Sequence, residues 1–326
     1  MNKTYIGYLL LFIFLMFFLF ADQLDIKNRI DIPSRLLDMN TIFFSIFLEA
    51  IPFVLLGVFI SALIQTFVKE NTLNKFIPSN PVLALFPAVV IGAIFPICEC
   101  AIVPIVRRLI TKGMPLHVGF VILVSAPILN PIVFLSTFYA FQTDLSIAYA
   151  RMGLAFVISL IIGAIIYQRF GNSNQLKNEG SHMTHIHDHG HSNKLKETLY
   201  HASDEFFDMG KFLLIGALVA SGIQTFMSRE FLLDLGSGML AGPAVMMGLA
   251  FFLSLCSEAD AFVASTFKGM FSSSSLLAFL VYGPMIDLKN TILMLAYFKA
   301  AFVLRFILIV TTTVFTVIVL YQYFLV

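Results

Sequence analysis

What this 326-residue chain has least of is charge. Asp, Glu, Lys and Arg make up 12% of it, about half of what a soluble globular domain carries. Twenty Lys and Arg against 19 Asp and Glu leave no excess of either sign, so no basic stripe points to nucleic acid. Tryptophan is absent, and the three cysteines, Cys98, Cys100 and Cys256, stand in apolar stretches, which argues against a spaced disulfide scaffold. Also missing are a nucleophile paired with a base, an H-E-x-x-H pair and a phosphate loop, so nothing points to an enzyme. What is there is apolar: 59% of the residues are hydrophobic and the mean hydropathy is +0.92. That is the composition of a multi-pass cell-membrane protein whose solvent is the lipid bilayer.

A hydrocarbon core about 30 Å thick takes roughly 20 apolar residues per helix. That ruler predicts nine spans, at 5–21, 43–68, 82–106, 116–141, 147–168, 205–227, 239–267, 275–297 and 298–324, or eight if the last two are not separate. The first is read as an uncleaved helix rather than a signal peptide, because its core is long and rich in Phe and no clear A-x-A site follows. Basic residues gather after the first, third, fifth and seventh spans: Lys27, Arg29 and Arg35; Arg107, Arg108 and Lys112; Arg169, Lys177, Lys194 and Lys196; Lys268. The positive-inside rule therefore places these loops in the cytoplasm, with the N-terminus outside and the C-terminus inside.

The expected organisation is an N-terminal helix and loop over 1–40, one hydrophobic unit over 41–168, a polar linker over 169–203 and a second hydrophobic unit over 204–326. The two units read as copies. FVLLGVFISALIQTF at 53–67 matches FLLIGALVASGIQTF at 212–226, and APILN at 126–130 matches GPMID at 283–287. The predicted fold class is all-α integral membrane, with eight or nine transmembrane helices in two four-span repeats. Four is even, so the second copy would enter in the same direction as the first, about an axis along the membrane normal, unless one segment is re-entrant.

Polar residues fall mid-span beside helix breakers. Pro96 and Pro104 flank Cys98, Glu99 and Cys100, while Pro127 and Pro131 flank Asn130. The second copy repeats this with Cys256, Glu258 and Asp260, then with Pro284 and Asp287. Proline removes a backbone donor and clashes with the preceding turn, so these helices should break near mid-membrane, where only protein or a wet cavity can satisfy the freed groups. The candidate substrate-binding residues are therefore Cys98, Glu99, Cys100, Asn130, Cys256, Glu258, Asp260 and Asp287. Each charge at the bilayer centre costs about 2.5–3.5 kcal/mol on insertion scales, so four cost on the order of 10 kcal/mol before compensation. Thiolates suit soft or borderline metals and trivalent arsenic-type species, and carboxylates suit divalent cations and proton exchange. The plainer alternatives are a polar network that only locks the bundle, and cysteines that pack as small hydrophobes. Glu49 and Asp208 align as well, but as residues near span ends, where headgroups solvate them.

Six of the seven histidines lie in or beside the linker, among them His182, His185, His187, His189 and His191. Such a cluster can capture zinc or another divalent metal without a preformed cage, or serve as a pH-sensitive spacer. No other cofactor is expected.

At FPICECAIVPIVRRLITKGMPLHVGFVILVSAPILNP, and again at SLCSEADAFVA, the chain resembles the YraQ/ArsP-type predicted permeases. The matching positions are Pro96, Cys98, Cys100, Pro104, Ser125, Pro127, Asn130 and Pro131, then Cys256, Ser257, Glu258, Asp260 and Phe262. Where many relatives have serine between the cysteines this chain has Glu99, which favours a cationic ligand. The resemblance implies transport of a small inorganic or organometalloid solute, because the family includes exporters of trivalent organoarsenicals. It also implies a second membrane subunit for some members; a homo-oligomer is the other assembly considered. The expected function is efflux of a metal, metalloid or related small solute by substrate/proton antiport. The rival readings are a subunit of a cell-envelope complex handling a lipid or wall precursor, and a membrane metal sensor.

Overall fold

The computed structural model describes residues 34–67, 78, 80–94, 98–141, 145–171, 173–177, 194–226, 238 and 240–325. The expected first helix at 5–21, Pro96 and the linker histidines His182, His185, His187, His189 and His191 lie outside the described residues. Among those that are described, regular structure is wholly helical. The first half holds α1 (Ser34–Phe67), α2 (Leu85–Ile94), α3 (Glu99–Thr111), α4 (Leu116–Leu129), α5 (Pro131–Ala140) and α6 (Leu145–Phe170). The second half holds α7 (Lys194–Phe226), α8 (Ala241–Leu253), α9 (Ser257–Thr266), α10 (Ser273–Met285), α11 (Leu288–Tyr297) and α12 (Ala300–Leu325). Lengths of 34, 10, 13, 14, 10 and 26 residues are followed by 33, 13, 10, 13, 10 and 26, so the order of long and short helices recurs.

Among the described residues, five stretches are long and apolar enough to cross a membrane: Arg35–Ile64, Leu116–Ala140, Leu145–Phe170, Ser273–Tyr297 and Ala300–Phe324. Two of them are interrupted crossings. The helix α6 runs antiparallel along α4 and α5 together, as three pairings in order show: the His117 ring is 5.0 Å from that of Tyr167, Val121 faces Gly163, and Arg151 Nη1 donates to Thr137 Oγ1 at 2.6 Å. In the second half α12 packs on α10, with Tyr282 and Thr311 hydroxyls 2.8 Å apart. Nearly every residue of α4 and of α10 is buried, so these two helices form the centre of the bundle rather than an amphipathic wall.

The apolar runs at 82–106 and 239–267, expected as spans, turn back instead. Leu85 of α2 meets Val121 beside Gly163, and Gly92 further along α2 sits against Ser125 and Ala126, so α2 runs parallel to α4. The next helix, α3, runs the other way, with Val106 and Ile110 against Gly119. In the second half Ala250 of α8 and Asp260 of α9 both abut Gly283, although ten positions separate them. Each run is therefore a helical hairpin that enters the bundle and leaves by the end it entered. Helices of 10 and 13 residues rise only about 15–20 Å, too short to cross alone and long enough to reach the middle.

The hairpins change the direction of the second half. Arg151 joins Thr137, on α5, to Leu280 O, on α10, so the residues seven beyond Asn130 and seven before Asp287 share a level. At the other level Phe120 of α4 packs on Phe302 and Phe306 of α12, with centroids 5.0 and 4.8 Å away. The two interrupted crossings are thus antiparallel, the case left open for a re-entrant segment and not the one with an axis along the membrane normal. The same tracing corrects the loop assignments. Arg107 lies 4.3 Å over the Tyr297 ring, and Lys177 N donates to Tyr297 O at 2.9 Å, so α3, α6 and α11 all end at one face. That face carries Arg107, Arg108, Lys112, Arg169, Lys177 and Lys299, whereas Arg35 and Lys268 lie at the opposite one.

The long α1 packs on α7 and on α3. Gly57 allows the second contact: a Cβ there would stand 2.8 Å from Ala101 Cα and 3.0 Å from Ala101 O. Because backbone atoms cannot move aside as a flexible side chain can, Gly57→Val should cost about 1–3 kcal/mol, read as a lowered melting temperature of purified protein. An unchanged melting temperature would mean that α1 does not press on the α2–α3 hairpin.

Candidate functional site

The interruptions are made by caps rather than by the prolines themselves. Helix α3 continues through Pro104, α4 through Pro127 and α10 through Pro284. Each proline forfeits one backbone bond, and the two crossings are interrupted where a side chain caps the helix that follows. Asn130 Oδ1 accepts from Val133 N at 2.9 Å with Pro131 at the first helical position, and Asp287 Oδ1 accepts from Asn290 N at 2.6 Å. At the hairpin tips Cys98 (φ −72°, ψ 165°) and Cys256 (φ −75°, ψ 153°) occupy the matching position, the extended residue before α3 and before α9. Ser254, with φ of 47°, turns the chain at the end of α8. A left-handed serine costs about 1–2 kcal/mol, strain of a kind that gathers at functional sites.

The first hairpin tip meets the second interrupted crossing. Glu99 is 1% exposed and Asp287 1%, and between them stands Lys289, with Nζ 3.6 Å from Glu99 Oε1 and 3.6 Å from Asp287 Oδ2. Lys289 Nζ donates to Ser254 O at 3.0 Å. Cys98 and Cys100 lie within hydrogen-bonding reach of each other, and both are in electrostatic range of Lys289. Beside them is a recess with room for about one water molecule, lined by Val54, Cys100, Met209, Leu213, Lys289, Asn290 and Leu293. Among the described residues, neither oxygen of Glu99 nor Oδ2 of Asp287 has a hydrogen-bond donor.

The second hairpin tip meets the first interrupted crossing. Asp260 is buried with Oδ2 lacking a donor, and it is in electrostatic range of Arg151, Glu99 and Asp287. Arg151, wholly buried on α6, donates to Leu280 O at 3.1 Å, Thr137 Oγ1 at 2.6 Å and Ser257 O at 3.1 Å. Glu258 is half-buried in electrostatic range of Glu99. Cys256 Sγ donates to Glu49 Oε1, which corrects the placing of Glu49 at a span end: α1 begins at Ser34, so Glu49 lies halfway along it. Asn130 stays apart, its carbonyl spent on the α5 cap.

Of the eight sequence candidates, Cys98, Glu99, Cys100 and Asp287 thus surround one ammonium, and Asp260, Glu258 and Cys256 approach the same group from the other half. The cations Lys289 and Arg151 were missed. The signal was present, since a lysine or arginine inside an apolar span marks a functional position by default. No three His, Cys, Asp or Glu side chains among the described residues converge to hold a metal ion.

A family model described as a predicted permease, ArsP_1, matches residues 35–323. The chain is 49% identical over 270 residues to the UPF0718 protein YcgR of Bacillus subtilis (strain 168), covering 83% of this chain and 92% of that one. It is 37% identical over 279 residues to a Streptococcus mutans protein named as a two-component membrane permease complex subunit, covering 85% of this chain and 92% of that one. No solved structure matches. The chain, a multi-pass membrane protein, belongs to the ArsP_1 family of predicted permeases.

Proposed function

We propose that the chain moves a metal ion, metalloid or related small solute out of the cell through the cluster around Glu99, Asp260 and Asp287. One observation carries the reading: four buried carboxylate oxygens, Glu99 Oε1 and Oε2, Asp260 Oδ2 and Asp287 Oδ2, meet no hydrogen-bond donor among the described residues. Each such orphan costs about 1–3 kcal/mol. A network built only to lock the bundle would have closed them. Cys98, Cys100 and Cys256 would present thiols to soft metal or arsenic centres, with Asn130 and Glu258 lining the approach, while the carboxylates take up protons as solute leaves.

In this reading each half crosses the membrane three times and dips into it once. Three is odd, so the second half enters from the opposite face, the inverted arrangement in which transporters build a midplane site at the repeat interface. The basic face would be cytoplasmic, which puts the linker there and brings the two hairpins in from opposite sides. His182, His185, His187, His189 and His191 would gather zinc or another divalent metal for the site. The Streptococcus relative's name supports a second membrane subunit as partner.

The test is a melting-temperature screen of purified full-length protein against zinc, other divalent ions, arsenite and methylarsenite, followed by flux of each stabilising solute in proteoliposomes under a proton gradient. A ligand at about 100 times its Kd adds about 2.7 kcal/mol to the folded state. Deleting residues 181–191 should weaken apparent zinc affinity and leave the maximal rate unchanged. A chain that is stabilised by none of these solutes and carries none of them is not this permease, and the envelope-complex reading then takes its place.

A further inference from the structure

Lys289 is placed where the helix itself opposes a cation. It is the second residue of α11, after the Asp287 cap, where the helix dipole opposes positive charge. It is 5% exposed inside an apolar bundle, its stem packed beside Gly216 of α7. Its ammonium has three donors, and among the described residues only the bond to Ser254 O is made. The two carboxylates stand at 3.6 Å, inside ion-pair range and beyond hydrogen-bond range, so they are neutralised without being satisfied. Optimised for stability, a buried pair would close to about 2.8 Å. The recess along the lysine stem, with Asn290 Oδ1 unpartnered beside it, leaves room for the ammonium to draw back.

We propose that Lys289 is a tethered cation holding the substrate's place between Glu99 and Asp287, and that the transported solute is itself a cation that binds by displacing it. The inference rests on the carboxylate cluster being the solute site and adds the sign of the solute's charge and the group it competes with. An incoming divalent ion takes the place of the ammonium between the Glu99 and Asp287 carboxylates, and the ammonium retracts toward Asn290. As the ion leaves, Lys289 returns, so the carboxylates are never left bare and the ion is never held too tightly to release.

Zinc is the probe, with titration calorimetry on full-length protein and counterflow in proteoliposomes. Lys289→Met should tighten zinc binding at least about tenfold, about 1.4 kcal/mol, and lower KM and kcat together, because release loses its competitor. Lys289→Arg keeps the charge and should bind zinc no tighter than the parent. Lys289→Gln, which retains a donor without the charge, should also bind more tightly, and it serves if the Met variant does not fold. Neutral methylarsenite should bind parent and Met variant alike. If Glu99→Gln leaves zinc affinity unchanged, the site reading is wrong. If Glu99→Gln weakens it but neither neutral variant of Lys289 strengthens it, the site stands and the tethered-cation inference falls.

Discussion

Replacing Glu99 by Gln should abolish solute flux, by at least about a hundredfold, while the protein still elutes as a folded species. The side chain is 1% exposed, with both oxygens free of donors and one of them 3.6 Å from Lys289. Glutamine keeps the shape and removes the charge, so what it tests is electrostatics rather than packing. Taking one charge from a buried pair costs about 3–5 kcal/mol, which as lost binding is two to three orders of magnitude. Asp287→Asn should behave alike, since asparagine can still cap α11 through its carbonyl as Asp287 does through Oδ1. Flux within twofold of the parent in either variant, measured by counterflow in proteoliposomes, would remove both residues from the transport path.

The breaks were legible in the sequence and the turns were not. Asn130 and Asp287 are polar, each stands within three residues of a proline, and each lies in the middle of an apolar run, so composition alone locates them. Hydropathy sums residues without regard to direction. A run of 25 apolar residues that crosses and one that reaches mid-depth and returns have the same total, so 82–106 and 239–267 read as spans. Their true path follows from contacts at Gly92, Gly119 and Gly283, which no window sees. Two copies are parallel or inverted according to an even or odd number of crossings, so the orientation expected from four spans per copy holds only while no segment is re-entrant.

The site was half legible for a related reason. Carboxylates and cysteines near helix breaks stood out because two copies repeated them, whereas Lys289 and Arg151 are single cations with no acidic or thiol counterpart, Arg151 inside the unbroken α6 and Lys289 in the first turn of α11. Their importance lies across the halves. Lys289 of the second half answers Glu99 of the first, and Arg151 of the first answers Ser257 and Leu280 of the second. Glu99 had been read as biasing the site toward cations by its charge alone. With Lys289 beside it the bias depends on displacing a resident cation.

Arg151→Leu should cause the largest loss of stability in the molecule. The guanidinium is fully buried and spends Nε, Nη1 and Nη2 on three acceptors from three helices or their ends: Leu280 O on α10, Thr137 Oγ1 on α5 and Ser257 O at the start of α9. Leucine fills much of the volume and makes none of these bonds. Three charge-assisted bonds are lost, at about 1.5–3 kcal/mol each, Leu280 O is left facing Pro284, which has no N–H to offer it, and Asp260 loses its strongest opposing charge. Leaving a buried charge unpaired costs about 3–5 kcal/mol, so a melting temperature lower by about 10 °C or more is expected for a chain of this size. Arg151→Lys should recover only part of it, because an ammonium on a flexible stem cannot hold three acceptors in one plane. The diagnostic is the double variant Arg151→Leu with Asp260→Asn. If Asp260 is what the guanidinium neutralises, removing its charge should restore a share of the loss, a coupling of about 0.5–3 kcal/mol. If the double variant melts no higher than Arg151→Leu alone, Arg151 is a staple for backbone carbonyls and has no electrostatic part in keeping Asp260 charged and available at the hairpin tip.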